Sequence, residues 1–227
     1  FRKKLINKRE KILKWISNYG SEEERKIFER FITFIDPVYY ANQFEVIDKK
    51  DAFFLTSFLG FRNGGEVLLK NANSLENRVL YFSNFVYQNG VTITFRKNSS
   101  NGTIIGKVKL DKDKNPNIWT EGYDSQKVTA IKIPTIKGSF DLYISATTSE
   151  KIKKSEVLLD LEWISFLPEI PGKNKPGYSR IKNQFISLLS GTKFSDLHPV
   201  TLENPDHMKR KTFMFDRGNW MTPKDEV

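Results

Sequence analysis

Val157-Leu158-Leu159-Asp160-Leu161-Glu162-Trp163-Ile164 is a run of branched, aliphatic and aromatic residues broken only by two acids at alternate positions. It reads as a strand. Successive side chains of a strand point to opposite faces, so Asp160 and Glu162, at i and i+2, share one face. Working outward, Phe140-Asp141-Leu142-Tyr143-Ile144, Val91-Thr92-Ile93-Thr94-Phe95 and Val79-Leu80-Tyr81-Phe82-Ser83 are apolar or alternating in the same way. Turn clusters such as Asn98-Ser99-Ser100-Asn101-Gly102 separate the runs. From 38 to 167 the pattern predicts roughly eight to ten short strands, about 8–15 residues apart, with no helix between them. That arrangement is a mainly β domain, an antiparallel β-sandwich. No internal repeat of solenoid or propeller length is present.

The flanks have a different period. Leu5, Ile6, Ile12, Leu13 and Ile16 recur at helical spacing, and Asn18-Tyr19-Gly20 supplies a stop in which glycine can take the left-handed conformation. Ser21-Glu22-Glu23-Glu24 has capping-box spacing and starts a second helix carrying Ile27, Phe28, Phe31, Ile32 and Phe34, ended by Asp36-Pro37. Residues 1–37 are thus an αα-hairpin, either an arm for a partner or a layer packed on its own domain. A Pro/Gly linker, 168–179, leads to a short helix expected to be capped by Ser179 and carrying Ile181, Phe185, Ile186, Leu188 and Leu189. The extended tail that follows has too few apolar residues to fold alone. The expected organisation is therefore 1–37 hairpin, 38–167 sandwich, and 168–227 linker, helix and tail.

Composition narrows the chemistry. The 227 residues contain no cysteine, which excludes a disulfide, a thiol nucleophile, a zinc ribbon or a haem attachment on this segment. His198 and His207 are the only imidazoles. No apolar run reaches the roughly 18 residues of a membrane span. The net charge of +10 invites a nucleic-acid reading, but 27 of the 37 basic residues are lysines, and stretches such as Leu110-Asp111-Lys112-Asp113-Lys114 mix them with acids. Lysine is the ordinary solubilising cation, whereas base-edge and phosphate recognition favours arginine. The charge accordingly reads as solvated surface, and nucleic acid is set aside as a partner. The chain begins at Phe1, without an initiator Met or a signal sequence, and reads as a piece of something longer.

Catalytic motifs are missing: there is no Gly-x-Ser-x-Gly elbow, no phosphate-binding Gly-rich loop and no His-Glu-x-x-His. The expectation is a protein that is not an enzyme. Ile118-Trp119-Thr120-Glu121-Gly122-Tyr123, after Lys114-Asn115-Pro116-Asn117, is more informative. An aromatic ring in such a loop either plugs the open end of the sandwich or offers an apolar platform to a ligand, with polar groups beside it. Trp163, in an apolar strand, is expected in the core.

Taken in order, Val91 to Phe95, Gly102 to Val108, the Trp119 loop, Ile136 to Ile144 and Leu159 to Phe166 resemble the family 6 carbohydrate-binding modules, with Gln43-Phe44-Glu45 in the place of that family's opening acidic strand. The resemblance spans about 125 residues. It implies a jelly-roll of galactose-binding-like type, with Trp119 stacking on sugar and Tyr123 nearby. Asp160 stands where the family usually has a sugar-binding Asn. Gln43, Glu45 and Glu162 stand where it holds a structural calcium through oxygen ligands. Two departures are visible. Gly65-Glu66-Val67-Leu68-Leu69-Lys70 carries Leu where a partner Tyr is expected, leaving Phe61 as the nearby ring, and the Trp119-to-Tyr123 spacing is one residue longer than usual.

The tail, from His198-Pro199-Val200-Thr201-Leu202-Glu203 through Arg210-Lys211-Thr212-Phe213-Met214-Phe215-Asp216-Arg217-Gly218-Asn219-Trp220, resembles a junction in large exported planctomycete and Bacteroidetes proteins that carry cytochrome c modules. This implies a periplasmic or extracellular protein with flanking domains, any haem lying outside this segment. The function expected is non-catalytic binding of a poly- or oligosaccharide. The competing class is a structural module that positions its neighbours without a ligand of its own.

Overall fold

The structure, a computed structural model, describes residues 2–34, 39–47, 51–55, 58–113, 127–190, 213–215 and 223–226. Two helices open the chain, α1 (Arg2–Tyr19) and α2 (Glu22–Phe34). The capping box between them is formed: the Ser21 hydroxyl accepts from the Glu24 backbone N–H at 3.1 Å, and the Glu24 carboxylate accepts from the Ser21 N–H at 2.8 Å. Gly20 stops α1 for a different reason from the one expected. It is not among the residues of positive φ, but a Cβ there would lie 2.9 Å from the Ile16 carbonyl oxygen and from the Pro171 ring. Glycine is needed for the close approach of the linker.

Eleven strands of the described chain form two antiparallel sheets, as the alternation predicts. They are β1 (Tyr39–Tyr40), β2 (Glu45–Val46), β3 (Ala52–Leu55), β4 (Phe58–Arg62), β5 (Gly65–Asn73) and β6 (Val79–Val86), followed by β7 (Val91–Lys97), β8 (Ile104–Leu110), β9 (Lys127–Lys132), β10 (Ser139–Thr148) and β11 (Val157–Leu167). The first sheet has the order β3-β4-β11-β6-β9, with β1 beside β11; the second has the order β2-β5-β10-β7-β8. Phe82 meets Phe95 at 5.3 Å and Phe166 meets Phe140 at 6.1 Å, so the sheets stack with these rings between them. Ile93, Phe95, Leu142 and Ile144 are fully buried while Thr92 and Ser145 are partly exposed, the period of two expected of a sandwich.

The first sheet is buried on both faces along part of its length, and every residue of β6 is buried. The second cover is helical. A third helix, α3 (Tyr178–Ser190), packs on α1 and β9. Its Phe185 touches Phe28 of α2 and Tyr81 of β6 at 5.6 and 5.5 Å, and Phe31 of α2 reaches Trp163 at 6.4 Å. The hairpin is therefore a layer on its own domain, and Trp163, buried as expected, faces that layer. Ser179, expected as the cap of α3, is its second residue. Trp15 ties α1 to the linker, its Nε1–H donating to the Pro171 carbonyl at 2.9 Å. Trp15→Phe should lower stability by about 1 kcal/mol in a urea melt, the ordinary worth of one such bond.

Residues Leu197–Val227 form a second compact unit. Within it β12 (Phe213–Phe215) pairs antiparallel with β13 (Pro223–Glu226), Phe213 opposite Glu226.

Candidate functional site

The outer face of the first sheet continues past the stretch on which the helices pack. Period two carries that face along β6 from Tyr81, under α3, to Ser83, Phe85 and then Tyr87 just past the strand end, where the Tyr87 N–H still bonds the Leu158 carbonyl. On β11 the register places Asp160 opposite Phe85 on one side and Gly60 of β4 on the other. Phe53 of β3 lies opposite Gly60 in turn. A Cβ at Gly60 would sit 2.5 Å from the Phe53 ring, so that ring rests over the glycine backbone, a placement a larger residue would block. The Arg62 guanidinium lies 4.5 Å from the centre of the same ring. Phe85 and Tyr87 meet edge to face at 4.9 Å. Asp160 thus stands in a row with Phe53 on one side and the Phe85–Tyr87 pair on the other.

Asp160 is 6% exposed. The Tyr87 hydroxyl donates to Oδ2 at 2.5 Å, while Oδ1 is buried with no hydrogen-bond partner among the described residues. Desolvation pushes the Asp160 pKa up to about 6, against the opposing effect of the Tyr87 bond. Burial first, and then the carboxylate beside it, raises the Tyr87 phenol well above its usual range. Two residues on, Glu162 shares the face as expected and accepts from the Ser83 hydroxyl at 3.0 Å; burial raises its pKa too, with the Ser83 bond acting the other way. A buried acceptor oxygen left unmatched is costly, and the ordinary remedy is a donor from a ligand or water.

The structure brings together only some of the residues read from sequence. Trp119 and Tyr123 lie outside the described residues. Phe61, expected beside the platform, pairs with Leu159 between the sheets and is fully buried; its position one residue past Gly60 turns it to the opposite face from Asp160. It is a core residue here. The rings that do flank Asp160, Phe53 and Tyr87, were not among the candidates. Tyr87 carries a sequence signal, since Phe85-x-Tyr87 continues the alternation of β6.

The three residues expected around calcium are engaged separately. Glu45 pairs with the Lys70 ammonium at 2.6 Å on the second sheet, Gln43 accepts from the Tyr40 N–H at 2.6 Å, and Glu162 is held by Ser83 on the first sheet. They do not fit as one ligand set, and among the described residues no group of three or more His, Cys, Asp or Glu is placed to hold a metal.

The sequence matches no family model and no curated protein. Among solved structures, a family 6 carbohydrate-binding module studied for its binding sub-sites is similar at 13% identity and a TM-score of 0.45, over 58% of this chain and 93% of that one. A family 6 module from Clostridium stercorarium, solved with cellobiose, is similar at 17% identity and a TM-score of 0.44, over 58% of this chain and 93% of that one. A family 36 module solved with calcium and xylotriose is similar at 9% identity and a TM-score of 0.39, over 57% of this chain and 98% of that one. No helix among the described residues is long and apolar enough to cross a membrane.

Proposed function

We propose that the chain is a non-catalytic module that binds a poly- or oligosaccharide at the outer face of its first sheet. The observation that carries this reading is the Asp160 carboxyl. One oxygen is fixed by Tyr87, the other has no partner among the described residues, and Phe53, Phe85 and Tyr87 stand in the same row. Sugar rings offer apolar faces to aromatic rings and hydroxyl donors to acceptors, which is the demand this arrangement makes. Tyr87 orients the carboxylate, and Oδ1 accepts a ligand hydroxyl in a bond strengthened by its charge. Trp119, with Tyr123, supplies the stacking platform. The tail's resemblance to an exported multidomain protein supports a setting outside the cytoplasm, with flanking domains as further partners.

Calorimetric titration of the whole chain against a panel of plant and marine glycans tests the reading. At least one neutral oligosaccharide should bind, and both Trp119→Ala and Asp160→Ala should weaken it by about ten- to a hundredfold, the worth of a charge-assisted hydrogen bond or a stacked ring. If no glycan binds, or the variants bind as well as the parent, the site assignment fails. A second reading, a structural module without a ligand, is favoured by one observation: Asp160 and Phe61 are both covered in this structure. It predicts a flat titration throughout.

A further inference from the structure

The net charge is not spread over the molecule. Residues 1–20 hold seven basic residues and one acid, and residues 168–190 hold four and one. These two stretches supply +9 of the net +10, leaving the rest of the chain close to neutral. About 150 residues apart in sequence, they meet in the fold: α1 packs on α3, and the Lys8 ammonium donates to the Ser187 hydroxyl at 3.0 Å. Lys11 and Lys14 of α1, Lys173 and Lys175 of the linker, and Arg180 and Lys182 of α3 are all exposed. From these two stretches Glu169 pairs with Lys132 at 2.8 Å, and that carboxyl is held below its usual range by Lys132 first, with Lys173 and Lys182 adding to it.

This placement does not serve helix stability. Like charges at i and i+3, as Lys8, Lys11 and Lys14 stand, destabilise a helix. α1 also has no acid in its first turn and no basic residue in its last, the reverse of what its dipole favours. A single-sign field gathered on one face is, however, what attracts an extended polyanion.

We propose that the α1–α3 face binds an anionic polysaccharide, one carrying carboxylate or sulfate groups along its length. The choice of a glycan among polyanions rests on the carbohydrate reading of the sandwich, and two features of the face agree with it. Five of the six exposed cations named are lysines, and the exposed ring of Tyr19 lies beneath Lys175, 5.8 Å from its ammonium, which keeps that ring from serving as a free platform for nucleic-acid bases. A membrane surface would require an apolar wedge, and among the described residues the exposed large apolar side chains of this layer are Ile6 and Tyr19.

The test uses the whole chain and polygalacturonate, with its fully methyl-esterified form as the neutral control. Polygalacturonate should bind in a salt-sensitive manner and the ester should not. The triple variant Lys11→Glu/Lys14→Glu/Lys182→Glu should lose about tenfold or more in affinity and show a shallower dependence on salt. The milder Lys→Gln triple variant, with a matching melting curve, separates charge from misfolding and should lose affinity in the same direction. Unchanged affinity in both triple variants overturns the proposal. So does equal binding of the ester, or duplex DNA or phosphatidylserine vesicles held as tightly as polygalacturonate. Should every neutral oligosaccharide fail while polygalacturonate binds through these lysines, the Asp160 reading falls and this one stands.

Discussion

Phe185→Ala is expected to destabilise the protein by about 3–5 kcal/mol, the range for removing a buried aromatic side chain. The ring is fully buried and is the joint between layers: it meets Phe28 and Phe31 of the hairpin at 5.6 and 6.1 Å and Tyr81 of the sheet at 5.5 Å. No neighbouring side chain can close such a gap without moving a helix, so the cavity cost adds to the lost transfer energy. Domains of this size have about 5–15 kcal/mol in total, so the loss is a large share. It should also be uneven. Hydrogen exchange should accelerate most in α1, α2 and α3, while amides of β7 and β10, in the other sheet, keep more of their protection. A loss below about 1.5 kcal/mol in urea melts would mean that the helical layer does not pack on the sheet in solution.

The sandwich was legible because each strand announces its own period. Val91 to Phe95 and Phe140 to Ile144 alternate, and the turn at 98–102 separates β7 from β8 as its glycine and asparagines suggest. The hairpin was legible because Ser21 and Glu24 carry their signal within four residues. What stayed hidden depends on contacts that local sequence does not record. Tyr87 and Asp160 are 73 residues apart, and only the pairing of β6 with β11 sets them side by side. Phe53 comes to the row through the β3–β4 pairing, over a glycine whose lack of a side chain makes the room. Phe61 lies one residue past Gly60 in β4, and in a strand one residue is enough to exchange faces and place the ring in the core. The charge was a different case. Its segregation could be counted in the sequence, but stretches such as 110–114 suggest dispersal, and it is the packing of α1 on α3 that brings the two basic segments together.

Asp160→Asn should reveal the cost of the buried carboxyl through its pH dependence. Burial moves the group from the ordinary aspartate value of 3.8 to about 6, so the folded state binds the proton more tightly than the unfolded chain does. The sign follows from linkage. Protonation favours folding, so the stability associated with the proton is fully present below the unfolded value, and it is lost as pH rises through about 6. A displacement of that size corresponds to about 3 kcal/mol across the window from pH 4 to pH 7. Asparagine keeps the shape and one acceptor oxygen, and its amide can donate to the Tyr87 oxygen, but it carries no titrating proton. The difference in unfolding free energy between the two proteins should therefore change across that window, with asparagine gaining on aspartate as pH rises. Other carboxylates titrate alike in both proteins and cancel in the difference. Tyr87→Phe supplies the complementary arm: without its donor the carboxylate loses the one bond that favours the charged form, so its apparent pKa should rise further and stability at pH 8 should fall by about 1–3 kcal/mol. A flat difference between the aspartate and asparagine proteins from pH 4 to pH 8 would show that the Asp160 carboxyl is well solvated in solution. The unpartnered oxygen would then carry no argument for a ligand.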